Sequence, residues 1–293
     1  MSNSSTVYEM ITEQIVGQLE KGTVPWRMSW TPQSRPRNLV SNRAYTGVNV
    51  MLLVTRGYSS PYWMTFKQAK DLGGSVRKGE HGQLVVFWKM LEKHEIDETT
   101  GKTVKTTIPM LRYYRVFNLE QTDGVRVPAG REIPPERDDV EAIEAAEAII
   151  AGYLAAGGPS VTYRGSQPAY SPPLDAVEVP EQSHFDSDAE FYGAVFHELG
   201  HSTGHPSRLN RYEPAAFGSH SYGREELVAE MTAAFLAGEA GTGSATIDNS
   251  AAYLAGWIKT IREDVRAVVV AAGAAQRAAD YVLGRTRGEV VSD

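Results

Sequence analysis

The sequence predicts an α+β protein in two parts, a strand-bearing N-terminal half and a helix-rich C-terminal half. Three observations predict it. Stretches rich in β-branched and aromatic residues gather before residue 123, whereas long helical periodicities dominate after 138. A segment with three prolines and no aromatic residue, "DGVRVPAGREIPPERDD" (123–139), lies between them and reads as a linker. The charge also changes sign there. Residues 1–137 carry 19 Lys and Arg against 13 Asp and Glu, a net of +6, and residues 138–293 carry 10 against 23, a net of −13. Domains are therefore expected over residues 1–130 and 131–293, with different partners.

In chain order, Tyr8, Ile11, Ile15 and Leu19 recur at helical spacing. Thr6 and Glu9 fit a capping box, and Gly22 is placed to end that helix. Residues 22–47, rich in Pro, Ser, Asn and Arg, read as a long ordered loop. "YWMTFKQAKDLGG" (62–74) reads as a short helix closed by glycines. "SVRKGEHGQLVVFWKM" (75–90) reads as a β-hairpin turning at Gly79–Gly82, with a strand on Leu84–Trp88, and 106–122 as a further strand. After the linker, 138–158 is a helix with an acidic start and a Gly-Gly stop. "SVTYRG" and "AYSPPLDAVEVP" (169–180) are strands, the second confined to an edge by its prolines. Helices follow at about 188–203 and 223–237, with a pair between 249 and 284.

Composition excludes several classes. There is no cysteine, so a metal would have to sit on His, Asp or Glu. The start of the chain lacks the pattern of a signal peptide. The longest apolar run, "AVVVAAGAA" (267–275), falls far short of the ~20 residues of a membrane span. The expected location is the cytoplasm, with no membrane partner.

"HELGHSTGH" (197–205) carries the chemistry. His197 and His201 stand one above the other on a helix, close enough for both rings to reach one ion. A divalent ion acidifies the water it binds, to a pKa of about 7 in such sites, and Glu198 is placed to take that proton as general base. The helix has a start signal in Ser187 and Glu190 and a stop in Pro206. Gly193, Gly200 and Gly204 share the His face, as close approach of another element requires. A third ligand is needed. A repeat ending in histidine at 207 fails because 207 is Ser, and His205 follows the helix stop. Glu226, with Glu230 one helical step on, shares a face with Ala233, opposite a core stripe of Leu227, Val228, Met231 and Phe235. Glu226 then ligates and Glu230 orients a histidine from behind. The plainer alternative is that Glu225, Glu226 and Glu230 are solvated. Tyr222 and His220, just before that helix, are either oxyanion groups or surface residues. Zn2+ suits two histidines and a glutamate with one open position, and Mn2+ or Co2+ would also fit. The edge strand near 169–179 could add an extended peptide as a further strand.

The first half pairs cations with aromatics. Residues 1–91 hold eleven Lys and Arg against five acids, and four of the five tryptophans. Trp26 and Trp30 interleave with Arg27, Arg35, Arg37 and Arg43, and Arg77 and Lys78 sit on the expected hairpin. Single-strand binders use this combination, cations for phosphates and ring faces for bases. Trp63 and Trp88 read as core.

"YEMITEQIVGQLEKGTVPWRMSW", "NRAYTGVNVMLL", "YWMTFKQAKDLGGSVRKGEHGQLVVFW" and "YYRVFNLEQTDG" resemble the N-terminal domain of the ArdC-type antirestriction proteins of conjugative plasmids, a domain also present in some plasmid primases. "AYSPPLDAVEVP", "FYGAVFHELGHSTGH", "YGREELVAEMTAAFL" and the stretch from Tyr253 to Leu283 resemble the zincin-like metallopeptidase domain of the same family. The resemblance implies sequence-nonspecific single-stranded-DNA binding by the first half, a peptidase-like second half, and protection of incoming plasmid DNA from type I restriction. It favours Glu226 as third ligand. Two other readings stay open: a DNA-associated metalloprotease acting on DNA-bound proteins, and a non-catalytic acidic inhibitor of the restriction enzyme holding a structural metal.

Overall fold

A computed structural model describes residues 4–96, 103–211, 220–243 and 251–285. It is a mixed α and β architecture, as the sequence predicts. Helix α1 (Ser4–Leu19) buries Val7, Ile11, Ile15 and Leu19. It already runs at Ser4, so Thr6 and Glu9 lie inside the helix and not at its cap. Gly22 takes a positive φ of 79° just beyond it. The segment that follows is irregular apart from a 3-10 turn at Pro25–Arg27 and strand β1 (Arg37–Asn38). Helix α2 (Val48–Val54) then buries Val48, Val50, Met51, Leu52 and Leu53. Apart from Asn49 its run is apolar and gives no amphipathic period to read.

Residues 62–74 divide in a way the sequence reading missed. Tyr62–Thr65 are strand β2 and Phe66–Asp71 are helix α3. Thr65 accepts from the N–H of Gln68 at 3.2 Å, and the Gln68 side chain accepts from the N–H of Thr65 at 2.8 Å, which fixes the switch from strand to helix. The hairpin expected at Gly79–Gly82 is absent. Strand β3 (Ser75–Val76) pairs instead with β6 (Thr122–Asp123), while β4 (Gln83–Ile96) and β5 (Thr103–Asn118) form the long antiparallel pair. Gly82, just before β4, lies against Phe117 of β5, whose ring would be 2.9 Å from an added Cβ. The main sheet runs β1-β2-β5-β4.

In the second half, Asp138 caps α4 (Asp139–Ala155) in a reciprocal box with Glu141. Strand β7 (Ser160–Tyr163) follows. The segment 169–180 is two strands, β8 (Ala169–Ser171) and β9 (Ala176–Val179), with Pro172 and Pro173 in the turn between them. The order is β7-β9-β8, with β9 central and β8 on an edge. Four helices complete the described chain: α5 (Asp188–Ser202), α6 (His220–Ala240), α7 (Ala251–Glu263) and α8 (Ala267–Val282). Ser187 caps α5 by accepting from the N–H of Glu190 at 3.2 Å, while the Glu190 carboxylate accepts from the N–H of Asp186. Among the described residues no helix is long and apolar enough to cross a membrane.

One apolar core runs through both halves. It joins Ile11, Trp26, Trp30 and Val50 to Tyr192, Phe196, Phe235, Trp257 and Val268. Polar groups tie the same seam. The Thr12 hydroxyl donates to Val265 O at 2.8 Å, and Gly47 N–H donates to Gln276 Oε1 at 3.1 Å. Arg137 donates to the carbonyls of Glu239 and Ala240, both at 2.9 Å, closing the end of α6.

Candidate metal centre

Helices α5 and α6 lie face to face. Gly200 permits this: a Cβ there would sit 3.2 Å from Ala229 Cα and 3.2 Å from Thr232 Cβ. The close approach brings the predicted donors together. His197 Nε2 and His201 Nε2 are 3.1 Å apart, and each lies 3.5 Å from a carboxylate oxygen of Glu226. Ligand atoms of these three residues all lie within 4.8 Å of one another. Leu227, Val228, Met231 and Phe235 are buried on the other side of α6, as the periodicity predicts.

Behind the imidazoles stand two more carboxylates of α6. Glu230 Oε1 is 4.0 Å from His197 Nδ1, and Glu225 Oε1 is 3.5 Å from His201 Nδ1. The sequence reading named Glu230 but gave Glu225 no role. Arg211 holds Glu225 through two bonds, at 2.9 and 2.8 Å, and also donates to Gly200 O and Thr203 Oγ1. The place of Glu225, one residue before Glu226 on the same helix, was the available signal. Its arginine, in the turn after α5, carried none.

The electrostatics follow from burial and proximity. Burial pushes the Glu198 carboxyl up and the Glu226 carboxylate adds to this, while His197, His201 and the N–H of Tyr170 pull it down; the net is a raised pKa. For Glu226 burial opposes ionisation, but the hydrogen-bonding imidazoles outweigh it and hold the carboxyl well below its usual range. Burial lowers His201, yet Glu225 and Glu226 outweigh that and raise it to about 10. Tyr170 belongs to β8, so the backbone of the edge strand lies beside Glu198.

Other predicted residues fall elsewhere. His205 turns away, with Nδ1 2.7 Å from Ser207 Oγ, and is outside the donor cluster. His220 and Tyr222 lie within α6 and not before it, and their side chains lie outside the described residues. Trp26 and Trp30 are only 2% and 6% exposed, so neither offers a ring face to a base. Trp26 packs edge-on to Trp257 at 5.2 Å, and Arg27 lies over the same ring at 5.1 Å. Arg35 stacks on Trp30 at 5.3 Å and ion-pairs with Glu239. These four residues are mortar between the halves, which corrects their reading as DNA-contacting groups. Arg37 is half-buried, whereas Arg43, Arg77 and Lys78 are exposed. Arg77 pairs with Glu80 at 2.9 Å. Trp63 is core, but Trp88, also read as core, is 46% exposed on β4. Phe66 is exposed too, with Lys70 5.7 Å from its ring.

Comparison with known proteins gives this geometry a context. Residues 5–117 match the N-terminal domain of anti-restriction factor ArdC, and residues 144–274 match a zincin-like metallopeptidase domain. The metal-free crystal structure of the antirestriction ArdC protein from plasmid R388 superposes with a TM-score of 0.73 at 34% identity, over 96% of this chain and 99% of that one. The chain belongs to the ArdC antirestriction family. The Mn(II)-bound structure of the R388 ArdC protein matches equally, with a TM-score of 0.73, 34% identity, and 94% and 97% coverage. A DNA primase TraC of Escherichia coli is 37% identical over 94% of this chain, which spans only 27% of that protein's length. Protein y4eC of Sinorhizobium fredii is 34% identical, with 94% of this chain and 91% of that protein covered.

Proposed function

We propose that this ArdC-family chain binds single-stranded DNA without sequence preference, protects incoming plasmid DNA from type I restriction, and carries a divalent-metal centre of the peptidase type. The observation that carries the metal reading is the convergence of His197, His201 and Glu226 beside a buried Glu198. Two imidazole nitrogens and one carboxylate, with no thiolate, fit Zn2+, and equally Mn2+ or Co2+; the R388 relative was solved with Mn(II). The ion, when bound, supplies Lewis acidity and an acidified water. The chain supplies the rest. Glu198, with its raised pKa, is the proton acceptor, and edge strand β8 beside it offers backbone groups to an extended peptide.

For single-stranded DNA the loop tryptophans are covered, so the contact surface is assigned to the exposed aromatics and cations of the first half. These are Phe66 with Lys70, Trp88 with Lys89, and Arg43, Arg77 and Lys78.

Metal analysis of the purified protein, with Glu226→Ala and His205→Ala, tests the donor set. Metal is expected to be lost from the Glu226 variant and kept by the His205 variant; loss only from the latter sinks the assignment. Glu198→Ala in a restriction-protection assay separates the rival readings. Full protection by that variant removes proteolysis from the mechanism, and lost protection with metal still bound favours a protease acting on DNA-bound proteins.

A further inference from the structure

Each imidazole of the centre turns its second nitrogen toward a carboxylate of α6, and each of those carboxylates faces an arginine. For His201 the chain is Glu225 and then Arg211, from the turn after α5. For His197 it is Glu230 and then Arg27, whose Nη2 lies 3.6 Å from Glu230 Oε1. The two arms differ in origin. Arg211 belongs to the same half as the site. Arg27 comes from the 3-10 turn at Pro25–Arg27, within the stretch that matches the ArdC N-terminal domain.

The Arg27 arm is sheltered and held. The side chains of Arg27 and Glu230 are only 10% and 9% exposed. Trp257 fixes the guanidinium from one side, and Trp26 packs on the same indole. Burying an ion pair is costly unless both charges meet, and removing one partner strands the other. Without Arg27, Glu230 loses the charge that holds its carboxylate on the Nδ1 side of His197. A carboxylate on that side favours the tautomer that carries its proton on Nδ1 and leaves the Nε2 lone pair facing Glu226 and His201.

We infer that Arg27 is a positioning residue for the metal centre: through Glu230 it orients His197, so the N-terminal half completes the outer shell of a site otherwise built by the C-terminal half. The inference rests on the metal reading above. At 3.6 and 4.0 Å the arm acts by charge and orientation more than by short hydrogen bonds.

The test uses the full chain and Co2+ as probe, with the dissociation constant read by chelator competition and the ligand field by visible absorption. Arg27→Met keeps the stem over Trp257 and removes the charge. It is expected to weaken Co2+ binding by about 10- to 100-fold and to alter the absorption bands. Arg27→Lys restores the charge and is expected to recover most of the affinity. Glu230→Gln is expected to match Arg27→Met, and the double variant to be no weaker than Glu230→Gln alone, because both changes cut one arm. Arg27→Met binding Co2+ as tightly as wild type, with only the melting point of the metal-free protein lowered, overturns the inference in favour of a purely structural arginine. So does a double variant whose losses multiply. If Arg27→Met does not fold, Glu230→Gln against Arg27→Lys carries the same comparison. Wild-type protein that takes up no Co2+ overturns the metal reading itself, and this inference with it.

Discussion

The α5–α6 helix pair and the loop from Pro25 to Arg35 are both dense in informative residues, His and Glu in one and Trp and Arg in the other. In the helix pair, spacing alone places the groups, because residues four apart share a face wherever the helix sits. In the loop nothing local does so. Trp30 is buried because Gly238 of α6 leaves room for its ring: a Cβ at 238 would lie 2.3 Å from the indole. Arg35 is sheltered because Glu239 comes next on that helix. An aromatic beside a cation has the same composition whether it stacks on a base or seals a seam. Only the partner across the gap distinguishes the two.

The largest effect expected from breaking this contrast is at Trp30. Its replacement by alanine removes a ring wedged between the halves and is expected to cost about 3–5 kcal/mol in denaturant unfolding. Gly238→Ala forces a methyl into the same ring and is expected to cost about 1–3 kcal/mol. An unfolding midpoint unchanged by both would return Trp30 to the surface role its composition suggests.

Glu239 sharpens the comparison through pH. Burial opposes its ionisation, but Arg285, Arg35 and Arg137 outweigh that and lower its pKa from an ordinary 4.5. A carboxylate with a depressed folded pKa contributes stability that is present above the unfolded value and lost as pH falls through the folded one. Glu239→Gln is therefore expected to destabilise by about 1.5–3 kcal/mol at pH 7. It should also flatten the decline in melting temperature below about pH 4.5. Parallel acid limbs for variant and wild type would show that the clasp is not what titrates.

The same contrast explains what could be read beforehand. The HExxH helix, its cap at Ser187 and the partner face of α6 were legible because each is a short-range pattern with a geometric consequence. The arrangement of β3 with β6 was not, because two-residue strands carry no period and Gly79–Gly82 has the composition of a hairpin turn. Arg27 and Arg211 were not legible as supports of the histidines, since each acts across a fold contact. A weak signal did exist for the seam. α6 is small or apolar on nearly every side, with Ala229, Ala233, Ala234, Ala237 and Gly238 alongside its core stripe, and such a helix is expected to be covered all round. Something had to cover the Ala234–Gly238 side, and the tryptophan-rich loop does.

The smallest effect on stability is expected where the comparison reverses. Trp88 sits in an apolar strand and yet is 46% exposed, whereas Trp26 sits in a polar loop and is 2% exposed. Trp88→Ala is expected to change stability by no more than about 0.5 kcal/mol. If its indole stacks on a base, the variant should lose about 1–3 kcal/mol of affinity for single-stranded DNA. Trp26→Phe, altered only inside the seam, should bind as wild type. Fluorescence anisotropy with an oligonucleotide at fixed salt decides, since phosphate contacts make the affinity salt-dependent. Weakened binding by Trp26→Phe with Trp88→Ala unaffected would put the bases back against the loop, and the seam would then have to open for DNA to enter.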